Sequence, residues 1–431
     1  MAASRLRSAL MSLSLWVLIA LLAGLFAGAA AQAWGLPGGE GTAEVIAAVG
    51  SLWLNALKMT IIPLVFSLLV TGIASIADAA ATGRLALKAL MVFAILLVGA
   101  TAWAIFASEM LHVLWPIAAD GARTLLAGAP DASVVKQNSG NGGIAGFLAS
   151  LAPANPIRAA AEDAILGIVV FAIAFGFAVT RLDAARRAPL VGFFEAVSET
   201  MIVIVHWVLK AAPLGVFALS MGVGLNAGLG ALGVLGHYVA IIVLAQVGLI
   251  LLIYAVVVPW GSIGLGRFAR GVIPAQVVAF STQSSLASLP AMVEQARTAL
   301  GVSNATAGLV LPLAVAIFRI TSPVANLGVV IYVAHLHGID LGPAAWFAGA
   351  VTAIAVSVGT VGLPGQVSFF VSIAPICLAM GVPVQVLPLL LAVEVIPDIF
   401  RTIGNVTADL AAARIVEGRD ARADPEAGGG I

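Results

Sequence analysis

Apolar stretches long enough to cross a membrane occupy most of the chain. A transmembrane helix needs about 20 mainly apolar residues. Six such stretches occur before residue 261, and they cover residues 13–34, 45–76, 85–115, 164–179, 193–223 and 231–260. The second stretch is too long for one upright crossing, which indicates a tilted helix. The pattern therefore predicts a short N-terminal segment over residues 1–11 and six transmembrane helices over residues 12–260.

Small polar residues interrupt the apolar pattern after residue 260. Two interrupted segments each contain the pattern small-x-x-small-Leu-Pro, at residues 285–290 and 359–364. Corresponding interruptions in two halves of a chain are typical of transporters whose sites are built from discontinuous helices. The alternative is a pair of kinks that serve only helix packing. We predict a transport core over residues 261–416 with four parts: hairpin 1 (266–300), helix 7 (302–336), hairpin 2 (345–381) and helix 8 (384–416).

The composition favours a membrane protein and excludes several other classes. Hydrophobic residues make up 61% of the 431 residues and charged residues only 9%, compared with about 25% charged residues in soluble domains. So few charges cannot cover the surface of a soluble protein of this size. The formal net charge is zero, so no basic surface for nucleic acid is expected. The single cysteine, Cys377, excludes an intramolecular disulfide. No Walker, Gly-x-Ser-x-Gly or His-Glu-x-x-His motif occurs, which argues against an ATP-driven pump or an enzyme.

The positions of Lys and Arg predict the orientation of the helices, because cytoplasmic loops of membrane proteins carry an excess of these residues. Basic groups fall on one side when the predicted helices are counted, at Arg5/Arg7, Arg84/Lys88, Arg181/Arg186/Arg187, Arg267/Arg270 and Arg419/Arg422. The mixed loop over residues 116–160 falls on the other side. Both termini are therefore expected in the cytoplasm, with the helices in the cell (inner) membrane. The charged, Gly-rich tail over residues 417–431 is expected to be disordered.

Five polar side chains form a stripe on one face of predicted helix 8. They are Glu394, Asp398, Arg401, Asn405 and Asp409. A charge at the centre of a bilayer costs about 2.5–3.5 kcal/mol on insertion scales, so such a face normally lines a bundle interior or a polar path. Arg401 offers a bidentate fork for a carboxylate, and Asp398, one turn away, offers a partner for an ammonium group. The alternative is an ion-pair ladder that only locks helices together.

Four segments carry a resemblance to a known family. They are residues 58–66 (KMTIIPLVF), 212–218 (APLGVFA), 359–365 (GTVGLPG) and 398–409 (DIFRTIGNVTAD). They resemble the dicarboxylate/amino acid:cation symporter family, which includes the glutamate transporters, and the resemblance covers nearly the whole chain. It implies an all-α membrane protein with eight transmembrane helices, two re-entrant helical hairpins and inverted repeats. It also implies a homotrimer in which a mobile transport domain moves like an elevator against a static scaffold.

The resemblance implies roles for single residues as well. Arg401 is implied to bind the distal carboxylate of the substrate, and Asp398 to hold its α-amine. Thr402 and Asn405 lie beside them in the sequence pattern. Contacts from the two hairpin tips are implied for Ser284, Ser285, Gly359, Thr360, Gly362 and Pro364. Asn405 and Asp409 lie where the family binds a cation.

The chain departs from the family pattern at a segment where the family binds sodium. The seventh span of the family carries Asn-Met-Asp-Gly-Thr, whereas residues 318–323 read FRITSP here. A carboxylate is missing and Arg319 is added, which changes the local charge by two positive units. We hypothesise that Arg319 replaces part of the bound cation charge by pairing with Asp409, Asp398 or Glu394. Coupling then uses fewer sodium ions, or a proton carried on Glu394 or Asp398. The alternative places Arg319 at an interface, where it only anchors the helix.

Together these features predict a secondary active transporter with no enzyme activity. The expected substrate is aspartate, glutamate or a C4-dicarboxylate, imported by cation-coupled symport with Na⁺ or H⁺ as the coupling ion. No cofactor and no metal other than sodium is expected. The expected partners are the small anionic substrate, membrane lipid and copies of the same chain. Three alternatives remain: a sensor on a transporter fold, a sodium-independent exchanger of small polar or neutral amino acids, and an anion channel.

The histidines show no spacing typical of a metal site. They are His112, His206, His237, His335 and His337, and packing or interface roles are expected for them. Glu109 lies late in the third predicted helix and is expected to reach the lipid headgroup region.

Overall fold

The structure, a computed structural model, describes residues 13–33, 40–81, 83–127, 152–162, 164–227, 230–359 and 365–418. Within these residues the chain is helical and forms no strand. The helices are α1 Leu13–Ala33, α2 Glu40–Lys58, α3 Ile61–Ala81, α4 Arg84–Leu114, α5 Ala119–Ala127, α6 Pro156–Ala161, α7 Ile165–Thr180, α8 Ala184–Lys210, α9 Ala212–Ala227, α10 Ala231–Trp260, α11 Leu265–Thr282, α12 Ser285–Thr298, α13 Asn304–Ile317, α14 Thr321–Leu336, α15 Pro343–Gly359, α16 Gly365–Met380, α17 Leu387–Val393 and α18 Val395–Glu417. The all-α prediction is confirmed for this part of the chain. Residues 1–11 lie outside it, as does the predicted tail beyond Gly418.

Uninterrupted apolar stretches form single long helices. Four predicted stretches correspond to α1, α4, α7 and α10, with helix ends within one residue of the prediction. Among the described residues, 6 helical segments are long and apolar enough to cross a membrane. Four shorter apolar helices accompany them. Because these stretches contain no polar interruption, hydropathy alone was sufficient to place their ends.

Two predicted stretches each contain a helix boundary. Residues 45–76 fall in α2 and α3, and residues 193–223 fall in α8 and α9. A proline stands in the first turn of the second helix of each pair, at Pro63 and Pro213. Proline is tolerated there because the first N–H groups of a helix have no partner within it. The predicted loop over residues 116–160 contains two short helices, α5 and α6.

Helices α1 and α9 approach backbone to backbone through glycines. A Cβ atom placed on Gly28 would clash with the backbone oxygen of Met221, and one on Gly224 would clash with that of Leu25. Gly24 and Gly28 follow the spacing by which small residues let membrane helices approach closely. Helix α2 also packs against α9. These three helices form one unit of the N-terminal part.

The last two predicted spans each consist of two helices. Predicted helix 7 consists of α13 and α14, separated by residues 318–320, and predicted helix 8 consists of α17 and α18, which meet at Glu394. Phe318 in the first break stacks on Phe93 of α4, with ring centroids 4.5 Å apart. Broken helices at membrane depth are tolerated where protein encloses the freed backbone groups. The chain leaves the helical conformation at residues 318–320 of predicted helix 7, whereas Glu394, between α17 and α18, keeps helical backbone angles, with φ −64° and ψ −17°.

The interrupted segments form pairs of helices. Helices α11 and α12 pack against each other and are joined by a tight turn. Gln283 closes α11 with a left-handed φ of 51°, as residues after a helix end commonly do. Ser284 caps α12 by accepting a hydrogen bond from the N–H of Ala287 at 3.2 Å. Helices α15 and α16 pack on each other as well, and the residues that join them, 360–364, lie outside the described residues.

Helix α18 is the central element of the C-terminal part. Helices α10 to α14 and α4 pack against it. Its residues from Arg401 to Arg414 are all buried except Ile403, which is partly exposed. A helix enclosed on all sides must find protein partners for its polar side chains. This requirement determines the arrangement of the polar stripe.

Candidate functional site

The polar stripe of α18 and its N-terminal junction faces the interior of the protein. Glu394, Arg401, Asn405 and Asp409 are at most 4% exposed, and the Asp398 side chain is 17% exposed. Buried charges persist only where they are paired or hydrogen-bonded. The partners of these five side chains therefore define what the site can do.

Arg401 forms a buried ion pair with Glu394. Its Nη2 lies 2.7 Å from Glu394 Oε1, and the Tyr238 hydroxyl of α10 donates to Glu394 Oε2 at 3.0 Å. Asp398 is more distant, with its Oδ1 3.9 Å from Arg401 Nε. That nitrogen has no hydrogen-bond partner among the described residues. The ion-pair alternative is therefore present in the structure, with Glu394 rather than Asp398 as the main partner, and the Arg401 Nε–H is buried without a hydrogen-bond partner among the described residues.

Asn405 holds the start of α14 against α18. Its Oδ1 accepts hydrogen bonds from the Thr321 hydroxyl at 2.8 Å and from the Thr321 N–H at 3.1 Å. The same hydroxyl lies 3.1 Å from the Arg401 carbonyl oxygen. A Cβ atom on Gly404 would lie 2.5 Å from Thr321 Cγ2, so the two helices meet at a glycine. The carbonyl oxygen of the Asn405 side chain is thus already occupied by Thr321 when the site is empty.

Arg319 lies in the break between α13 and α14 and faces the polar stripe. It is partly buried, and it interacts electrostatically with Asp398 and Asp409 and is repelled by Arg401. Asp409 is 1% exposed, and neither of its carboxylate oxygens has a hydrogen-bond partner among the described residues. These attractions act without a direct hydrogen bond to Asp409, so the pairing of Arg319 with Asp409 or Asp398 stays a prediction. Glu394 pairs with Arg401.

The formal charges of the site do not cancel. Three carboxylates, on Glu394, Asp398 and Asp409, face two guanidinium groups, on Arg319 and Arg401. Three negative and two positive charges leave one negative charge when all are ionised. One bound cation or one proton neutralises it.

The turn of the α11–α12 pair lies at the level of Asp398 and Arg401. Helices α11 and α18 run antiparallel, because Gly261, four residues before α11 begins, lies beside Arg414, and Gln276 donates to the Thr407 hydroxyl at 2.8 Å. The turn lies seven residues beyond Gln276, which is about 10 Å at 1.5 Å per residue. Counting seven residues back from Thr407 along α18 leads to the middle of residues 398–402.

The remaining predicted site residues fall into three groups. Ser284 uses its hydroxyl as the cap of α12, and Ser285 is the partly buried first residue of that helix. The Thr402 hydroxyl donates to the Asp398 carbonyl oxygen at 3.0 Å. Gly359 is the last residue of α15. Outside the described residues lie Thr360, Gly362 and Pro364.

Two residues of the site were not identified from sequence. Thr321 is the first residue of α14, a position that becomes visible only once the break after Ile317 is known. Tyr238 lies in the middle of a long apolar helix and contacts Glu394, which is far away in sequence. A tyrosine in such a helix gives no local signal of its partner.

The fold and the site together define a class of protein. Long apolar helices cross a membrane, and broken helices meet at a buried, charged stripe, which is typical of membrane transporters. The comparison with protein families agrees: the model of the sodium:dicarboxylate symporter family matches residues 13–419. The chain belongs to this family. It is a multi-pass membrane transporter of the cell membrane and not an enzyme.

The chain is similar over most of its length to transporters that are named for different substrates. The proton/glutamate-aspartate symporter of Escherichia coli (strain K12) is 28% identical over 373 residues, 86% of this chain and 85% of that protein. The C4-dicarboxylate transport protein of Solibacter usitatus is 28% identical over 420 residues, 96% and 92%. Neutral amino acid transporter A of Homo sapiens is 29% identical over 443 residues, 92% and 80%.

The family resemblance read from residues 359–365 and 398–409 is confirmed by these comparisons. So is the expectation that the protein transports a small molecule and does no covalent chemistry. The number of spans, the re-entrant character of the hairpins, the roles of single residues and the subunit number stay predictions.

Proposed function

We propose that this protein imports an acidic amino acid, aspartate or glutamate, or a C4-dicarboxylate by cation-coupled symport. The observation that carries the proposal is the juxtaposition of Arg401 and Asp398 on a buried helix, at the level of the α11–α12 turn. A guanidinium with an unpartnered Nε beside a partly exposed carboxylate offers one donor for a substrate carboxylate and one acceptor for an α-amine. The relatives named as glutamate/aspartate and C4-dicarboxylate transporters support the same substrate classes.

Substrate binding involves an exchange of partners at Arg401. Glu394 neutralises the guanidinium in the structure, and the substrate's distal carboxylate takes its place. Asp398 holds the amine, with Thr402 and Asn405 beside it. Ser284 and Ser285 at the turn of the α11–α12 pair contact the substrate, and the residues 359–364 stay predicted contacts.

The proposed architecture has eight membrane-spanning helices and two re-entrant hairpins, α11–α12 and α15–α16, related as inverted repeats. Both termini lie in the cytoplasm. The unit of α1, α2 and α9 belongs to the scaffold of a homotrimer. Helices α4 and α10 pack against α14 and α18, so they move with residues 261–416 as the transport domain of an elevator.

Coupling uses few sodium ions or none. The Arg319 guanidinium supplies positive charge where the family pattern supplies sodium ligands, and the site retains one net negative charge. One proton on Glu394, or one cation near Asn405 and Asp409, completes the neutralisation. Protonation of Glu394 also removes its attraction for Arg401, which links proton uptake to substrate binding.

Uptake of radiolabelled aspartate by proteoliposomes tests this function. We expect an inward proton gradient to drive accumulation, and an inward sodium gradient to add little. Accumulation that responds to neither gradient would rule out symport. Counterflow without accumulation would assign the protein as an exchanger, and binding without counterflow as a sensor on a transporter fold. Competition by succinate and by neutral amino acids then ranks the substrate classes.

A further inference from the structure

A second group of ionisable side chains lies outside the substrate site, near the ends of α4 and α14 and the start of α10. We call it the histidine cluster, and it consists of Glu109, His112, His237, Tyr332 and His335. Tyr238 of α10, whose ring meets Tyr332 edge-on with centroids 5.2 Å apart, links the cluster to the substrate site. The proposed binding of substrate uses none of the five.

The exposed end of the cluster is an acid–base pair. Glu109 Oε1 lies 3.1 Å from His335 Nε2, and the two side chains are 38% and 40% exposed. The His335 ring stacks on the ring of His112, with centroids 4.3 Å apart and planes 8° from parallel. His112 is only 4% exposed. The pair therefore joins the surface to a buried imidazole.

The buried imidazole of His112 has an unoccupied basic nitrogen. Its Nδ1 lies 2.7 Å from the Ser108 carbonyl oxygen, and because a carbonyl only accepts, Nδ1 carries a hydrogen. Its Nε2 is buried and has no hydrogen-bond partner among the described residues. A buried polar atom without a partner calls for an explanation. An imidazole that donates through one nitrogen can take up a proton on the other.

His237 keeps hydrogen-bond partners in both of its protonation states. Its Nε2 lies 3.0 Å from the Trp115 carbonyl oxygen and therefore donates. Its Nδ1 lies 3.1 Å from the Tyr332 hydroxyl, which also lies 2.9 Å from the Val234 carbonyl oxygen. When His237 is neutral, Tyr332 donates to Nδ1. When it is charged, Nδ1 donates to Tyr332, and Tyr332 donates to Val234.

The inner end of the cluster reaches the substrate site. The Tyr332 ring lies 5.5 Å from the ring of His112 and 5.2 Å from that of Tyr238, centroid to centroid. Tyr238 donates its hydroxyl hydrogen to Glu394 at 3.0 Å. Ionisable rings thus follow one another from the half-exposed Glu109 to the buried Glu394.

We propose that the histidine cluster is the path by which Glu394 exchanges its proton with the membrane face where α4 and α14 end. A proton from the Glu109–His335 pair passes to His112 Nε2 and on to Tyr332, which is hydrogen-bonded to His237. The rings of His335, His112, Tyr332 and Tyr238 contact one another in turn without a hydrogen bond among the described residues, so each transfer between them takes place through a bridging water. Tyr238 gives its hydroxyl proton to Glu394 and takes one from the Tyr332 side in return, so that one proton enters and one is delivered. The inference rests on the proposed proton-coupled function. In the proposed orientation this face is the outer one.

The charged groups around the path are compatible with proton movement from Glu109 to Glu394. Glu394 faces Arg401 and Asp398 of α18 and Tyr238 of α10, and α17 has no ionisable side chain. His112 faces Glu109, His335 and His237. Helix α5, which packs against α10, carries the exposed Arg123.

Two measurements on the same proteoliposomes test the path. Substrate-driven proton uptake is followed with an internal pH dye, and counterflow of labelled aspartate, which needs no net proton movement, is followed in parallel. We expect His112→Gln and His237→Gln to slow proton uptake about tenfold or more, as for the loss of a proton-transfer group. Counterflow should stay within about twofold of the original protein, since the path does not contact the substrate.

His337→Gln is the matched control. His337 follows α14 directly, and its Nδ1 lies 2.9 Å from the Val333 carbonyl oxygen. Burial lowers the pKa of this imidazole, and no ring of the path contacts it among the described residues. Both measurements should remain unchanged in this variant.

Tyr238→Phe removes only the hydroxyl that contacts Glu394. This variant therefore tests the path if a histidine variant fails to fold. It should slow proton uptake like the histidine variants. Proton uptake at the original rate in His112→Gln, or in Tyr238→Phe, would overturn the path, and so would an equal loss of counterflow in His112→Gln and His237→Gln. Transport without proton movement in the original protein would instead overturn the proposed coupling.

Discussion

Single residues of α18 determine which groups the transporter offers to a ligand. Arg401 and Glu394 neutralise each other at 2.7 Å, and both side chains are 4% exposed. Removal of one partner from a buried ion pair costs about 3–5 kcal/mol, because the other charge stays buried. A substrate carboxylate that replaces Glu394 avoids this cost only if Glu394 is neutralised in the same step. In the proposed function, this requirement links proton uptake to substrate binding.

The Glu394→Gln variant is expected to separate proton uptake from substrate binding. The amide keeps the shape of the side chain and its capacity to accept from Tyr238, but it carries no proton to exchange. We expect accumulation driven by a proton gradient to be lost while counterflow of aspartate is retained, both measured in proteoliposomes. The same change at the exposed Glu195 is the control and should have no effect. Proton-driven accumulation by Glu394→Gln would contradict the assignment of Glu394.

We predict that Asp398 decides whether the transporter prefers amino acids or diacids. Asp398→Asn removes the charged acceptor for the α-amine, and a hydrogen bond to a charged group is worth about 1.5–3 kcal/mol. We expect the Kd for aspartate to rise about ten- to a hundredfold, while binding of succinate stays the same or improves. Isothermal titration calorimetry measures both. Equal losses for aspartate and succinate would remove Asp398 from recognition of the amine.

The broken helices are the elements that bring the site together. Thr321 begins α14 and donates twice to Asn405 of α18, so the orientation of the second half of predicted helix 7 depends on one contact with α18. Gly404 permits this contact because a side chain there would meet Thr321 Cγ2. The break therefore positions Arg319 next to the stripe.

Gly404→Ala should separate α14 from α18. Its Cβ would lie 2.5 Å from Thr321 Cγ2, and overpacking of this kind costs about 1–3 kcal/mol. We expect a lower melting temperature in detergent and slower uptake. Adding Thr321→Ser removes Cγ2 and keeps the hydroxyl, so the double variant should recover most of both losses.

Gly308→Ala is the control for this pair, because a Cβ atom at Gly308 meets no atom within 4 Å. It should leave stability and uptake unchanged. A Gly404→Ala protein that is as stable and active as the original would contradict the close contact between α14 and α18.

At the scale of the whole molecule, the charge balance of the site connects the fold to the driving force. Helix α18 is enclosed by α10 to α14 and α4, so its charges must be balanced within the protein or by the bound solutes. Two arginines and three carboxylates leave one negative charge. We therefore expect the number of cations that travel with a substrate to depend on Arg319.

Arg319→Asn should increase the number of coupled cations. The variant loses one positive charge beside Asp409, whose carboxylate has no hydrogen-bond partner among the described residues. We expect its uptake to depend more steeply on sodium or on proton concentration, measured as the gradient needed to hold a given accumulation ratio. Arg297→Asn, at an exposed arginine of α12, is the control. Unchanged ion dependence in Arg319→Asn would remove Arg319 from coupling.

Local information in the sequence determined the class of protein, the ends of the uninterrupted helices and the choice of α18 as the site helix. Membrane insertion depends on the apolar content of each segment, and the helical period alone places the five polar residues on one face. The segments at 359–365 and 398–409 also identified the family. The family model confirms that identification.

Only the tertiary structure decided which partners the polar residues take. Helical spacing allows Arg401 to reach either Asp398 or Glu394, and the selection of Glu394 depends on Tyr238 of α10 and on the junction of α17 with α18. The break at residues 318–320, the contact of Thr321 with Asn405 and the histidine cluster likewise join residues that are far apart in sequence. Such contacts depend on how several helices pack at once, and no single segment contains that information.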